Sequence, residues 1–418
     1  MDLDIYNKEL EEIFSLSPSF QVVGDRAFKP GLDAMRAFDR HLGYPSRAFR
    51  SVHVAGTNGK GSVSHFLASA FAANGYKTGL YTSPHLVDFR ERAKVCIGNS
   101  FEMVPREFVY DFIVKEKQYI REHALSFFEI TTGLAFSWFA EQNLDIAIIE
   151  VGLGGLLDST NIIVPELSVI TNIAFDHCLY LGHTLPEIAS QKAGIIKDGV
   201  PVVVGEFVEQ TRPVFEREAA IHGSRLHFAQ DEESEVPSLE GFELQGDYEK
   251  NNLRTVRCAL KVLKDEGFAF DTKATEEALR HVASRTGLRG RWEVLRESGP
   301  RVICDAGHNP NGISYVMPQL EREGVEIIVL GVVRDRDLEA EQNLFVRNAY
   351  YFFCNAKGNR ALPCEELWGR LTAVGLKGEA AGSVAEAVTK AMEKASNNGT
   401  VFIGGSCYVV AEALELAY

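Results

Sequence analysis

The segment Ser51-Val52-His53-Val54-Ala55-Gly56-Thr57-Asn58-Gly59-Lys60-Gly61-Ser62 constrains this chain more than any other. A short apolar run, a turn holding three glycines and a lysine, and a helix-forming stretch over 63–73 together present backbone N–H groups and a helix N-terminus to an anion. This pattern predicts a nucleotide site. Gly56, Gly59 and Gly61 let the backbone approach the phosphates, Thr57 and Asn58 complete the turn, and Lys60 reaches a terminal phosphate oxygen. The Ser62 hydroxyl is placed to face a bound Mg²⁺. The spacing departs from G-x-x-x-x-G-K-[ST], because Gly61 separates the lysine from the hydroxyl. A bare strand-to-helix turn is the competing reading, but it leaves the concentration of glycines around Lys60 unexplained.

The chain is 418 residues long, enough for two domains. With 45% hydrophobic and 24% charged residues it reads as a soluble globular enzyme. Asp and Glu outnumber Lys and Arg 58 to 43, giving a net charge of -15. That balance argues against a nucleic-acid partner, whose phosphates demand excess cations, but not against ATP in one local cationic pocket. The 7 cysteines are scattered and never in C-x-x-C spacing, so neither a disulfide framework nor a zinc site is indicated. The acidic N-terminus without an apolar core, and the lack of an 18-residue apolar run, lead to the expectation of a cytoplasmic protein with no membrane partner.

Helices are expected over 3–15, 31–43, 105–123, 127–140 and 251–266, with a polar loop including Phe28-Lys29-Pro30-Gly31 between the first two. Strands are expected at 51–55, 77–81, 145–150, 167–171 and 200–204. The alternation predicts a doubly wound, largely parallel α/β sheet with its ligand at the strands' carboxyl ends. Residues 225–247 read as polar loops on the first domain's margin, and the connector Thr286-Gly287-Leu288-Arg289-Gly290-Arg291 precedes a second series of strands at 301–304, 326–330, 349–353 and 400–403. The expected domains are therefore 1–290 and 291–418.

Glu150 ends an apolar strand and is followed by Val151-Gly152-Leu153-Gly154-Gly155, a second glycine-rich loop. Nucleotide enzymes hold Mg²⁺ at such a carboxylate, and a solvated strand end is the alternative. Asp176-His177 follows the 168–171 strand in the same manner, as a metal site or as polar rim.

Ala55-Gly56-Thr57-Asn58-Gly59-Lys60-Gly61-Ser62, Thr82-Ser83-Pro84-His85-Leu86, Phe128-Glu129, Glu150-Val151-Gly152-Leu153-Gly154-Gly155, Asp176-His177 and Gln191-Lys192-Ala193-Gly194-Ile195-Ile196-Lys197 resemble, in order, the folylpolyglutamate synthase and dihydrofolate synthase family of the Mur ligase superfamily. The resemblance implies a P-loop-containing nucleotide-binding domain with the folate site, a smaller Rossmann-like α/β domain that closes on the nucleotide, and an active site in the cleft between them. It implies an ATP-dependent ligase that adds L-glutamate to dihydropteroate or to the γ-carboxyl of a folate.

Residue by residue, the resemblance makes the segment from Gly56 to Ser62 the triphosphate cradle and Ser83, Glu150 and His177 Mg²⁺ ligands. Lys192 matches a lysine that the family carbamylates to hold a second Mg²⁺, although alone it reads as a surface lysine. Asn252, Arg291, Asp305 and His308 match nucleotide contacts. Lys60, Glu150, His177, Lys192 and His308 are thus the expected catalytic set, and Phe127, Phe128, Leu157, Asp158 and Ser159 align with the pterin-binding region. Four departures stand out: Leu156 in place of an arginine, the reversed order Ala306-Gly307, Arg336 in place of a lysine, and Glu249 in place of a glutamine. The expected assembly state is a monomer. Another Mur-type amino-acid ligase, and a P-loop NTPase or phosphotransferase without ligase activity, remain as alternatives.

Overall fold

A computed structural model describes residues 3–17, 31–97, 99–232 and 235–418. The loop expected around Phe28-Lys29-Pro30 lies outside them. The chain forms two compact units, Met1–Glu243 with Lys250–Gly287, and Leu244–Glu249 with Leu288–Tyr418.

In the first unit the described strands are β1 (Ser51–Ala55), β2 (Thr78–Tyr81), β3 (Ala93–Ile97), β4 (Ser100–Met103), β5 (Ile146–Glu150), β6 (Leu167–Ile170), β7 (Val202–Val204) and β8 (Leu226–Phe228). Their order is β4-β3-β2-β5-β1-β6-β7-β8. The pairs from β2 through β5, β1, β6 and β7 to β8 are parallel, whereas β3 and β4 add an antiparallel edge. That edge was not expected from the sequence, because buried Lys94 and the half-exposed β4 break the apolar pattern that marks a strand.

Helix Lys60–Ala73 packs on β1, β2 and β5, and Thr272–Arg280 and Val282–Thr286 pack on that helix. The alternation of a strand sends Ala147 and Ile149 to the other face, into a cluster with Phe38, Phe112, Leu134 and Phe136 from three further helices. One of these, Phe127–Gln142, starts where Ser126 Oγ accepts the Glu129 N–H at 3.2 Å and Glu129 Oε2 accepts the Ser126 N–H at 2.6 Å. It ends at left-handed Asn143. Glu129, part of the family-like Phe128-Glu129 pair, is therefore a capping residue here.

In the second unit β9 (Glu293–Arg296), β10 (Arg301–Asp305), β11 (Ile327–Leu330), β12 (Tyr350–Asn355), β13 (Lys377–Ser383) and β14 (Thr400–Gly404) form a sheet ordered β13-β12-β11-β14-β10-β9. All pairs are parallel except β9 with β10. The edge strands β9 and β13 were not anticipated, since both are at best half-buried and β13 is mostly Gly, Ala and charged residues.

Segment Leu244–Glu249, which the sequence reading placed on the first domain's margin, belongs to the second unit. Gln319 Oε1 accepts the Asp247 N–H at 2.7 Å, Gln319 Nε2 donates to Gln245 O at 2.9 Å, and Arg322 pairs with Asp247 at 2.7 Å. All three bonds tie it to helix Pro310–Arg322.

Candidate active site

Strand β1 is central, and the chain leaves it for β2 by passing β5, so loops at the carboxyl ends of β1, β5 and β6 diverge around an opening in the sheet. The sequence-predicted residues of the first unit gather there.

The phosphate loop takes its form from two glycines. Gly56 has φ +151°, and a Cβ on it would lie 1.8 Å from Thr171 Oγ1; Gly59 has φ +80°, and a Cβ would lie 2.1 Å from Asn252 Oδ1. Both the conformation and the space require glycine. Helix Lys60–Ala73 begins directly after Gly59, three residues earlier than the sequence indicated. The loop is pinned from β6: Asn172 O accepts the Thr57 N–H at 3.0 Å, Asn172 Oδ1 accepts the Asn58 N–H at 2.8 Å, and Thr171 Oγ1 donates to Asn58 O. Lys60 folds its Nζ onto Gly56 O and Thr57 O, at 3.0 and 2.9 Å.

At the end of β5, Glu150 is 3% exposed, and its Oε2 accepts the Ser83 N–H at 3.0 Å. Ser83 follows β2, so two adjacent strand ends present a carboxylate and a hydroxyl residue side by side. Behind Ser83, Arg92 donates from Nε to His85 Nδ1 at 2.8 Å and stacks 5.1 Å over Phe127. The His85 imidazole is held neutral, at about 3, by burial and then by Arg92.

Lys192 joins this group from helix Leu185–Ala193. It is buried, and its Nζ donates to Gly56 O at 2.9 Å. Burial, reinforced by Lys60, pushes its pKa down to about 7, against smaller opposing effects of Asp176 and Asp158. His177, in the left-handed conformation at φ +48°, opens the short helix Cys178–Leu181, with Nε2 3.7 Å from Asp176 Oδ1.

The Glu150 and His177 loops and the Lys192 helix bound a cavity of about 280 Å³ lined by Leu153, Gly154, Gly155, Leu157, Tyr180 and Gln191 among others. Phe128 seats its ring against Gly152, whose Cβ would meet it at 2.4 Å.

Comparisons with known proteins match both halves of the chain. The Mur ligase middle domain matches residues 54–228, and the Mur ligase glutamate ligase domain matches residues 290–407. The dihydrofolate synthase/folylpolyglutamate synthase of Escherichia coli is 31% identical over 400 residues, covering 92% of this chain and 91% of the relative. The chain belongs to the folylpolyglutamate synthase/dihydrofolate synthase family. Among solved structures of that family, Escherichia coli FolC in complex with DHPP and ADP superposes with a TM-score of 0.83 at 27% identity, covering 98% of this chain and 97% of that one. The bifunctional Yersinia pestis synthase complexed with AMPPNP and Mn ion gives 0.81 at 26% identity, covering 98% of each chain.

Within this family member, Asp158 does not line the cavity. It is 3% exposed, its Oδ2 accepts the Leu153 N–H at 2.8 Å, and its Oδ1 accepts from both the N–H and the hydroxyl of Thr160. Ser159 begins the helical turn that Asp158 caps. Of the three consecutive pterin-region candidates, only Leu157 faces the cavity.

In the second unit, Asp305 is an organiser of backbone. Its Oδ2 accepts from Tyr248 OH and the Trp292 N–H, and its Oδ1 from the Gly307 N–H at 2.7 Å. His308 Nδ1 donates to Ala306 O at 3.1 Å, which fixes its tautomer, and Asn309 caps helix Pro310–Arg322. Arg291 Nη1 donates to Gly290 O at 3.3 Å.

Sequence reasoning missed Thr171, Asn172, Arg92 and His53. Thr171 and Asn172 carried a signal, two polar residues directly after an apolar strand at the same sheet end as the glycine loop.

Proposed function

We propose that this chain is an ATP-dependent ligase that joins L-glutamate to dihydropteroate, to the γ-carboxyl of a (tetrahydro)folate, or to both, forming ADP and phosphate. The observation that carries the reading beyond family membership is Lys192: a buried amine, mostly neutral near pH 7.5, bonded to the phosphate loop between the loops of Glu150 and His177.

The γ-phosphoryl group of ATP passes to the acceptor carboxylate, giving an acyl phosphate. The glutamate amine attacks its carbonyl carbon, and phosphate leaves. Lys60, released from Gly56 O and Thr57 O, turns its ammonium to the transferring group, while the loop N–H groups hold the β-phosphate side. Asn252, packed on Gly59, fits a nucleotide contact. The same role for Arg291, Asp305 and His308 rests on the motif resemblance.

The donor set suits a hard divalent cation: the Ser83 hydroxyl and the Glu150 carboxylate stand at adjacent strand ends, and the His177 imidazole comes from the loop after β6 at the same end of the sheet. A neutral Lys192 amine adds to CO₂, forming an N–C bond and releasing a proton; the resulting carbamate supplies the anion for a second site. Held by these residues, Mg²⁺ would supply positive charge to offset that of the phosphoryl group in transfer.

The apolar walls of Leu153 and Leu157 and the Phe128 ring fit a flat pterin-aminobenzoyl acceptor, with Phe127 holding Arg92 behind them. Among the described residues no helix is long and apolar enough to cross a membrane. We place the reaction in the cytoplasm, with a monomer acting on small-molecule substrates. The 7 cysteines, all free, support a reducing compartment.

The test is phosphate release from ATP with dihydropteroate plus glutamate, and separately with tetrahydrofolate plus glutamate, beside a Lys60→Ala control. Release that needs both acceptor and glutamate supports the ligase. Release without glutamate replaces it with an NTPase.

A further inference from the structure

A buried polar chain runs from the centre of the sheet to the second glycine loop. His53 lies fully buried in β1, with Nε2 2.8 Å from Thr160 Oγ1. Thr160, also fully buried, bonds through that hydroxyl to Asp158 Oδ1, and Asp158 Oδ2 takes the Leu153 N–H. Proton accounting fixes the direction. Asp158 Oδ2 accepts the Leu153 N–H and Oδ1 the Thr160 N–H, and the single hydroxyl proton of Thr160 also goes to Oδ1, so Thr160 Oγ1 must accept from His53. The imidazole is thus the Nε2–H tautomer, and its Nδ1 is buried with no hydrogen-bond partner among the described residues. Burial, then Lys197, pushes the ring down to about 3, so it stays neutral. A buried group with one orphaned acceptor is costly, and leucine or valine would pack in a central strand without that cost.

The far end of the loop rests on the helix that carries Lys192. Gln191 O accepts the Leu156 N–H at 2.7 Å, and a Cβ on Gly155 would lie 2.8 Å from Gln191 O and 2.9 Å from Lys192 O. Asn161 Nδ2 donates to both Leu156 O and Gly194 O at 3.0 Å. The loop is therefore a taut span from Glu150 to the Lys192 helix, with Asp158 as its central anchor. The phosphate loop has its own anchors, Thr171 and Asn172, and meets the Lys192 helix only through the Lys192 Nζ bond to Gly56 O among the described hydrogen bonds.

We propose that His53 is a positioning residue for the acceptor side of the site: through Thr160 and Asp158 it sets the shape of the 152–157 loop that lines the acceptor cavity, while Thr171 and Asn172 keep the phosphate loop in place. This rests on the ligase reading for its kinetic consequence but not for its structural one. Glutamine at 53 can place an amide N–H where Nε2 stands; phenylalanine cannot, and Thr160→Val removes the relay hydroxyl at constant shape.

The experiment compares His53→Phe, His53→Gln and Thr160→Val in the full chain. The first readout is hydrogen exchange over residues 150–157 with no substrate present. The second is KM for acceptor and for ATP, with kcat, from phosphate release. Faster exchange in His53→Phe and Thr160→Val, near-wild-type exchange in His53→Gln, and acceptor kcat/KM lowered on the order of tenfold with ATP KM within about twofold are the expected results. If His53→Phe does not fold, Thr160→Val and His53→Gln carry the comparison. Equal impairment of the glutamine and phenylalanine variants, unchanged exchange in Thr160→Val, or parallel rises in both KM values would overturn the proposal. Absence of acceptor-dependent turnover in the wild type would instead remove the ligase reading, with the exchange result still deciding the relay.

Discussion

Replacing Lys192 by methionine separates two consequences of one buried amine. The lysine is 3% exposed, and burial with the nearby Lys60 charge moves its pKa from 10.5 to about 7. The folded chain near neutral pH then holds the neutral amine far more often than a solvated lysine does, so the form that adds to CO₂ is enriched by orders of magnitude. Stability carries the opposite side of this shift. Between about pH 7 and 10.5 the unfolded chain keeps the proton that the folded chain has lost, so stability rises with pH through that window. Below the window the full cost of the depressed pKa is present, on the order of a few kcal/mol; above it the cost is gone. Methionine keeps the length of the side chain and removes the ionisable group. In CO₂-free buffer Lys192→Met should therefore be more stable than the wild type at pH 7, by up to a few kcal/mol, with the advantage fading toward pH 10. Ligation should fall by on the order of a hundredfold or more, because the carbamate anion cannot form. Urea unfolding at four pH values measures the first effect. A ¹³C carbamate signal from labelled bicarbonate, present in the wild type and absent in the variant, accompanies the second. A stability difference independent of pH would refute the buried-cation argument, and full activity in Lys192→Met would refute the role given to the carbamate.

Gly56→Ala should raise the KM for ATP at least about tenfold and destabilise the fold by about 2 kcal/mol or more, since the Cβ meets Thr171 Oγ1 at 1.8 Å and φ is +151°; nucleotide-dependent thermal shift and initial rates check it. Asp305→Asn should lower stability by about 1–3 kcal/mol, because an amide in place of Oδ1 or Oδ2 turns a donor toward the Gly307 N–H or the Trp292 N–H; denaturant unfolding reads this. Arg336→Lys should destabilise by about 1–3 kcal/mol, since the buried guanidinium reaches both Glu341 Oε2 and Gly405 O and an ammonium cannot keep both geometries; equal unfolding midpoints would contradict it.

The phosphate loop, both sheets' central strands and most helices were legible because each is a local statement: apolar runs of four or five residues, glycines where the backbone turns, and capping residues at helix starts. What stayed hidden is long-range or edge-bound. β4, β9 and β13 sit at sheet edges, where much of each strand is exposed or half-buried and the apolar signal fades, and β3, buried except for Ile97, is interrupted by Lys94. The membership of Leu244–Glu249 depends on Gln319, some 70 residues later, and no local pattern announces it. Site residues followed the same division. Lys60, Glu150 and Lys192 could be picked out by strand-end position and motif. The family resemblance that suggested Asp158 as a substrate contact did not reveal that its oxygens accept from Thr160 and Leu153.

The departures from the family pattern show which positions the fold itself holds. Gly307 is needed where it stands, because a Cβ there would come within 3.0 Å of Asp305 Oδ1, while the preceding Ala306 is buried with its N–H given to Gly290 O. The reversed Ala-Gly order thus keeps the Asp305 turn closed. Arg336 is 3% exposed and paired with fully buried Glu341, so the wider fork replaces a lysine in a place where two acceptors have to be reached. Leu156 differs in kind. Its backbone and its side chain both pack on Gly194, where a Cβ would meet Leu156 Cα and Cβ at 2.4 Å and Cδ1 at 2.8 Å, and the rest of the side chain is open to solvent, 44% exposed. The Gly194 contact needs only the first carbons of the side chain, which an arginine stem also supplies, so the main difference between the two residues is charge beside the cavity. On the ligase reading, Leu156→Arg is therefore expected to change the KM for an anionic acceptor and to leave the KM for ATP as it is; initial rates with dihydropteroate and with a glutamate-tailed folate check this, and equal KM values for both acceptors in variant and wild type would refute it.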